Sequence, residues 1–265
     1  RQTIRADIQR NANPDAPAEA VATIRDGNVR LSIDLLRNAT DLETNQMVSA
    51  YSIRSAFAQL YGGARGTTAD EINQALNFGL EGDAFHHAMN AVDLALTSRN
   101  LPAAGDLDPV ELNTANTFWA GAGMDWNQDY LELLGLHYGA GVEAIDFSAD
   151  PEAARLVINK WVEEKTKTRI KNLIPRGEIK PSTLAVLTNA VYFKAPWADQ
   201  FSKAVTVDAG FTTLADEEVQ VPTMVQNTVA RYAQEDGWLA VEKSFRGGKL
   251  AMLFIVPDVG EFADF

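Results

Sequence analysis

The sequence predicts an α+β protein. Three observations carry this. Apolar residues recur at helical spacing in successive segments up to about residue 96. Beyond Pro181 the apolar segments shorten and sit between Gly, Pro and charged residues, as strands do. The two kinds of segment do not alternate strand by helix, which argues against a parallel βαβ architecture. The chain has 265 residues, of which 46% are hydrophobic. That is enough for a sizeable core in one large domain or two small ones.

Taken in order, residues 1–27 read as a flexible leader. Asn11 to Ala20 is rich in Pro, Ala, Asn and Asp, and the stretch holds no apolar run of the kind a signal peptide needs. Asn28 to Asn38 fits strand alternation (Val29, Leu31, Ile33, Leu35) and helix spacing (Val29, Ile33, Leu36); its length and its Leu and Arg content favour helix. Ser52 to Tyr61 is a clearer helix, with Ser52 as N-cap, Ile53, Phe57 and Leu60 on one face, and Gly62-Gly63 as stop. Thr68 and Glu71 have the spacing of a capping box ahead of Ile72, Leu76 and Phe78. Ala84 to Leu96 is a third helix, with Phe85, Met89, Val92 and Leu96 along one side.

Val110 to Ala120 leans to strand, Asn127 to Leu136 to a short helix, and Gly141 to Phe147 to strand. Asp150-Pro151-Glu152 places an N-cap, a proline at the first helical position and an acid in the first turn. The helix it opens carries Ala154, Val157, Ile158, Trp161 and Val162 as an apolar stripe. Leu184 to Phe193 is apolar on both faces, as suits a central strand of a covered sheet. Val205 to Val207, Phe211 to Leu214, Val219 to Val221, Trp238 to Val241 and Leu250 to Val256 follow as strands, the last two separated by a turn at Arg246-Gly247-Gly248.

Composition excludes several classes. With no Cys there is no disulfide framework, thiolate metal site or cysteine nucleophile. Lys+Arg 23 against Asp+Glu 36 leaves a formal net charge of −13, which repels phosphate and disfavours a general nucleic-acid binder. No uninterrupted apolar run is long enough to span a membrane. The triplet Asn38-Ala39-Thr40 fits the glycosylation sequon, a pattern common by chance.

Signs of catalysis are sparse. There is no G-x-S-x-G, P-loop, H-E-x-x-H or EF-hand pattern. His86 and His87 are adjacent, so on a helix their side chains diverge by about 100°, poor geometry for chelation. His137 lacks an evident Ser and Asp to complete a triad. Asp106-Leu107-Asp108, flanked by Gly105 and Pro109, reads as a loop. Lys165, Lys167, Arg169 and Lys171 form a basic cluster that could dock a polyanion, although Glu163 and Glu164 offset it and cations also suit a helix C-terminus. The reading is therefore not an enzyme, with no cofactor and no metal.

Several segments, in order, resemble the serpin family. Ser49-Ala50-Tyr51-Ser52-Ile53, followed by Gly63-Ala64-Arg65-Gly66-Thr67, resembles the entry to the family's second helix and the turn into its third. Asn116-Thr117-Phe118-Trp119 resembles a strand of the large sheet, and Ile158-Asn159-Lys160-Trp161-Val162, with Thr166, Ile170, Leu173 and Ile174, resembles the helix lying across it. The most specific match is Asn189 to Trp197 (NAVYFKAPW) with Phe201; Val221 to Met224 and Leu250 to Pro257 continue it. Matching segments run from about Asn28 to Pro257. Ala50 stands where the family usually has Pro, and Ala195-Pro196 replaces a more usual Gly-containing turn.

The resemblance implies N-terminal helices packed on a large mixed sheet, with smaller sheets behind it. It implies an inhibitor of serine proteases, with cysteine proteases as further targets. An exposed loop forms an acyl-enzyme, is cut, and inserts as an added strand into the sheet. A dozen new backbone hydrogen bonds at ~0.5–1.5 kcal/mol each would supply on the order of 10 kcal/mol. The native fold would then be held kinetically rather than by equilibrium. By the same resemblance Ser49, Ser52 and Asn189 form the polar group where the sheet opens. Lys194, Trp197 and Phe201 mark the region where insertion starts, and Ile158 and Trp161 anchor the overlying helix.

The family's bait loop, hinge and last strands are expected beyond Phe265, so residues 28–265 read as the N-terminal portion of one serpin-like domain. The remaining segment is expected as a continuation or a second polypeptide, because Leu250 to Val256 would otherwise lack a neighbouring strand. A non-inhibitory carrier, chaperone or storage protein on the same fold is the competing reading, and an enzyme with an unrecognised site a third. The expected location is extracellular, periplasmic or at the cell surface.

Overall fold

The computed structural model describes residues 1–38 and 44–262, which fall into two compact units. The first holds residues 1–38, 47–98 and 112–193; the second holds 44–46, 99–111 and 194–262. The sequon triplet runs into residues outside those described. Among the described residues no helix is long and apolar enough to cross a membrane.

The first unit begins with strand β1 (Gln2–Ile4) and helices α1 (Ala18–Asn38), α2 (Ala50–Gly63), α3 (Thr67–Ala75) and α4 (Gly82–Thr97). Strand β2 (Glu111–Gly121) and helix α5 (Gln128–Leu133) follow, α5 running on into a π-turn at Leu134–Tyr138. Strand β3 (Val142–Ile145), helix α6 (Pro151–Lys165) and strand β4 (Ala185–Lys194) complete it. The strands form one mixed sheet in the order β1-β3-β2-β4. β3 is parallel to β2, with Phe118 opposite Val142, and β1 is antiparallel to β3, with Thr3 opposite Glu143. β4 runs antiparallel to β2: the Gly121 N–H donates to the Leu184 carbonyl at 2.9 Å, while Asn116 meets Asn189 further along.

Period-two alternation on β2 sends successive residues to opposite faces. Trp119 packs with Ala154, Ile158, Trp161 and Val162 of α6, joined by Ile145 and Ala190 from the flanking strands. Phe118 and Ala120 point the other way, onto Leu131 and Leu134. A second helical core gathers Ile24, Ala58, Tyr61, Phe78, Phe85 and Met89. Each fully buried large apolar side chain contributes ~1.5–3 kcal/mol, so both faces of the sheet are held by burial.

Several expectations need correcting. Residues 1–27 are not a loose leader. β1 adds to the sheet edge, Arg1 Nε and Thr3 Oγ1 bond Glu143 at 2.7 and 2.8 Å, and the Asn11 N–H donates to the Leu136 carbonyl at 2.8 Å. A Cβ on Gly141 would stand 2.6 Å from the Ile4 carbonyl oxygen, and one on Gly135 would collide with Ile8, so these glycines let the segment lie close. α1 then starts at Ala18, across the expected boundary at residue 28, and it buries Ile24, Gly27 and Leu31 rather than Val29, Ile33 and Leu36. On α2 the N-cap is Ser49, not Ser52. Its buried face carries Arg54, whose Nη1 donates to the Ile24 carbonyl (2.5 Å) and Asn28 Oδ1 (2.7 Å) and whose Nη2 donates to the Asn77 carbonyl (3.0 Å), while its Nε is buried without a partner among the described residues. The capping box is not formed, since Gly66 caps α3 without a side-chain bond. Among the described residues β4 has a strand partner on one side, β2, and Leu184 and Phe193 are exposed.

The second unit carries a hairpin of β5 (Val207–Thr212) and β6 (Glu218–Thr223) and a three-stranded antiparallel sheet of β7 (Arg231–Glu235), β8 (Trp238–Ser244) and β9 (Ala251–Pro257). Gly247 and Gly248, both at positive φ, turn the chain from β8 into β9. β7 was not expected, because all five of its residues are exposed and the segment has no apolar alternation. β9 is an outer strand with Leu253, Ile255 and Val256 exposed.

Candidate functional site

The site is built where α2 points at the junction of β2 and β4. Ser49 Oγ accepts the Ser52 N–H at 3.2 Å, which starts the helix. Ser52, in the first turn, then faces the sheet, and its hydroxyl donates to Asn189 Oδ1 on β4. Asn189 Nδ2 donates in turn to Asn116 Oδ1 on β2 at 2.5 Å. The expected trio Ser49, Ser52 and Asn189 is thus brought together. Asn116 joins it without having been singled out, although its place two residues before Phe118 sets it on the helix-facing side of β2. On the opposite face Trp119 Nε1 donates to Thr188 Oγ1 at 2.8 Å, so the two strands are cross-linked by side chains on both faces. A hydroxyl and two amides each donate and accept, so they can change partners as strands shift.

Next to this relay, β2 runs beyond the start of β3, and a cavity of about 450 Å³ opens there. Tyr51, Ser55, Asp93, Asn116, Glu143 and Lys165 are among its walls. Asp93 accepts from Tyr51 Oη at 2.7 Å, Thr114 Oγ1 at 3.0 Å and Arg10 Nη2 at 2.8 Å. Burial, followed by the Asp93 charge, pushes the Tyr51 phenol upward, so it stays a neutral donor. The guanidinium of Arg1 and the hydroxyl of Thr3 hold Glu143 below its usual range.

Ile158 and Trp161, the expected anchors of the overlying helix, are both buried; Trp161 meets Trp119 edge-on with ring centres 6.0 Å apart. Asn159, which sequence reasoning gave no role, fastens the chain returning from α6: its Oδ1 accepts the Ile174 N–H at 2.8 Å and its Nδ2 donates to the Ile174 carbonyl at 2.9 Å. The basic cluster is divided among separate neighbours. Lys165 lines the cavity, Lys167 sits over the Tyr192 ring at 5.1 Å, Lys171 pairs with Glu163 at 3.6 Å, and Arg169 is exposed.

In the second unit Trp197 stacks on Phe245, with centres 4.4 Å apart and planes 8° apart, and meets Phe201 edge-on at 6.5 Å. Lys243 Nζ lies 5.6 Å from the Trp197 ring centre and 4.5 Å from that of Phe201, a cation over aromatic faces that the sequence did not reveal. Lys194 pairs with Asp108 at 2.9 Å, and that exposed pair is worth ~0–1 kcal/mol. Trp197 and Phe201 are therefore neighbours, while Lys194 reaches Asp108. Among the described residues no group of three or more His, Asp or Glu is placed to hold a metal ion.

A protein-family model described as "Serpin (serine protease inhibitor)" matches residues 26–265. The chain belongs to the serpin family. An uncharacterized serpin-like protein of Methanosarcina acetivorans is 31% identical over 236 residues, covering 88% of this chain and 53% of that protein. The leukocyte elastase inhibitor of Equus caballus is 32% identical, covering 87% of this serpin and 60% of the relative. The chain therefore spans little more than half the length of these relatives. A solved structure titled "Cleaved Serpin 42Da" superposes with a TM-score of 0.80 at 25% identity, over 93% of this chain and 65% of the other. Uncleaved ovalbumin superposes with a TM-score of 0.81 at 24% identity, over 91% and 64%, which shows the shared fold.

Proposed function

We propose that this serpin inhibits serine proteases by presenting a bait loop, being cut, and inserting that loop as a new strand beside β4. The observation that carries the reading is the relay Ser52–Asn189–Asn116. It ties β4 to β2 with exchangeable hydrogen bonds at the strand whose other edge has no neighbour among the described residues. An edge strand offers unpaired N–H and C=O groups to an incoming segment. Family membership, and relatives named as elastase inhibitor and alaserpin, point the same way.

In this reading Trp197 and Phe201 mark where insertion begins, and α6, fastened by Ile158 and Trp161, must yield as the strand enters. The polar trio lets strands slide, and the protein has no catalytic role of its own. In the same reading the exposed face of β9 is covered by a further segment of the same domain, as a continuation or as a second polypeptide. The test is incubation of the complete protein with trypsin, chymotrypsin, elastase and subtilisin, followed by denaturing electrophoresis. A covalent band at the summed mass is expected with at least one protease. Cleavage at the bait loop with no such band across the panel would favour a non-inhibitory carrier or storage role.

A further inference from the structure

The protein has three histidines, and all three meet in one place. His86 and His87 diverge from α4, as adjacent helical residues must. The π-turn then brings His137 between them: its ring centre lies 5.7 Å from that of His86 and 4.7 Å from that of His87. His86 and His137 are 2% and 3% exposed. His86 Nδ1 shares a 2.6 Å hydrogen bond with the Tyr138 hydroxyl, whereas His87 Nδ1 and His137 Nδ1 are buried with no hydrogen-bond partner. A π-turn is a rare device that recurs at functional positions.

We propose that this cluster is an acid-sensitive latch between α4 and the π-turn, packed while His86 and His137 are neutral and forced apart when these two take up protons. The surroundings support neutrality. α2 contributes Tyr61 and the close backbone of Gly62, and Arg65 follows just beyond that helix. The N-terminal segment contributes Arg10, the π-turn Tyr138, and α5 Tyr130. Carboxylates lie toward the mouth of a smaller cavity beside His137: Asp83 of α4, with Asp129 and Glu132 of α5. Burial first, then His137, His87 and Arg65, lowers His86 to about 3. Burial first, then His87 and Arg10, lowers His137 despite the opposing pull of Asp83.

The sign follows from linkage. A histidine whose folded value lies below its unfolded value of about 6.5 binds protons preferentially in the unfolded or opened state. Stability is therefore intact above pH 6.5 and falls as pH drops below it. Ordinary carboxylates titrate near 4, so a loss between pH 7 and pH 5 isolates the histidines. The latch stands whether or not the protein inhibits a protease.

Two measurements test it on the intact protein. In proton NMR, the ring signals of His86 and His137 should not titrate between pH 7 and pH 5; rings titrating near the ordinary value would overturn the latch. In thermal unfolding, wild type should lose about 5–15 °C between pH 7 and pH 5, and His86→Asn/His137→Asn should lose less than half as much. An equal loss in both proteins also overturns it. If the double variant does not fold, the NMR titration decides alone. Added zinc chloride should leave the wild-type midpoint unchanged; a clear rise would make the cluster a metal site instead.

Discussion

Replacing Asn189 by Ala removes both bonds of the relay at once. The Ser52 hydroxyl loses its acceptor and Asn116 Oδ1 loses its donor. Fully buried groups left unpaired cost ~1–3 kcal/mol each. These are half-buried, so the lower end applies, and the pair costs about 2 kcal/mol. For a domain of this size that corresponds to a fall of roughly 4–8 °C in the melting midpoint. Asn116→Ala removes one of the two bonds and should cost about 1 kcal/mol. Because both substitutions delete the same Asn116–Asn189 contact, the double variant should be destabilised by less than the sum of the singles, by about 1 kcal/mol. Melting of the four proteins at one scan rate measures this. Strict additivity, or an Asn189→Ala midpoint within 1 °C of wild type, would refute the relay.

Further predictions concern the rest of the sheet and its N-terminal edge. Thr188→Val keeps the shape of the side chain but leaves Trp119 Nε1 without its 2.8 Å partner in a buried place, and a loss of ~1–3 kcal/mol is expected in urea unfolding. Gly141→Ala sets a Cβ against the Ile4 carbonyl, so limited trypsin digestion should cut at Arg5 and Arg10 sooner than in wild type. Glu143 lies below its ordinary carboxylate value of 4.5 chiefly because of its bond to Arg1. Its contribution is therefore present above pH 4.5 and disappears as pH falls through its folded value. Glu143→Gln should melt below wild type at pH 7, and the two midpoints should converge near pH 3.

Much of the fold was legible because strong local signals coincided with the tertiary answer. Asp150-Pro151-Glu152 opened α6 as expected, with Asp150 Oδ1 accepting the Ala153 N–H at 2.9 Å, and its apolar stripe faced the sheet. The trio on α2 and β4 was readable only through family resemblance, since spacing alone cannot pair residues 137 positions apart. Other features were hidden for physical reasons. The N-terminal segment is held by long-range polar bonds and by small residues on the opposing chain, neither of which leaves a periodic trace. Arg54 defied the rule that apolar residues face inward, because backbone carbonyls of α1 and of the chain after α3 accept from its two terminal nitrogens. The histidine cluster escaped because a π-turn, not a regular helix, delivers its third member.

The central claim is that the outer edge of β4 receives another strand. Hydrogen–deuterium exchange of the complete protein, read on peptides covering residues 185–194 before and after a single cut in its bait loop, tests this directly. Exchange of these amides should slow markedly after the cut, together with a rise in the melting midpoint. Unchanged exchange across β4 in the cleaved protein would contradict the account.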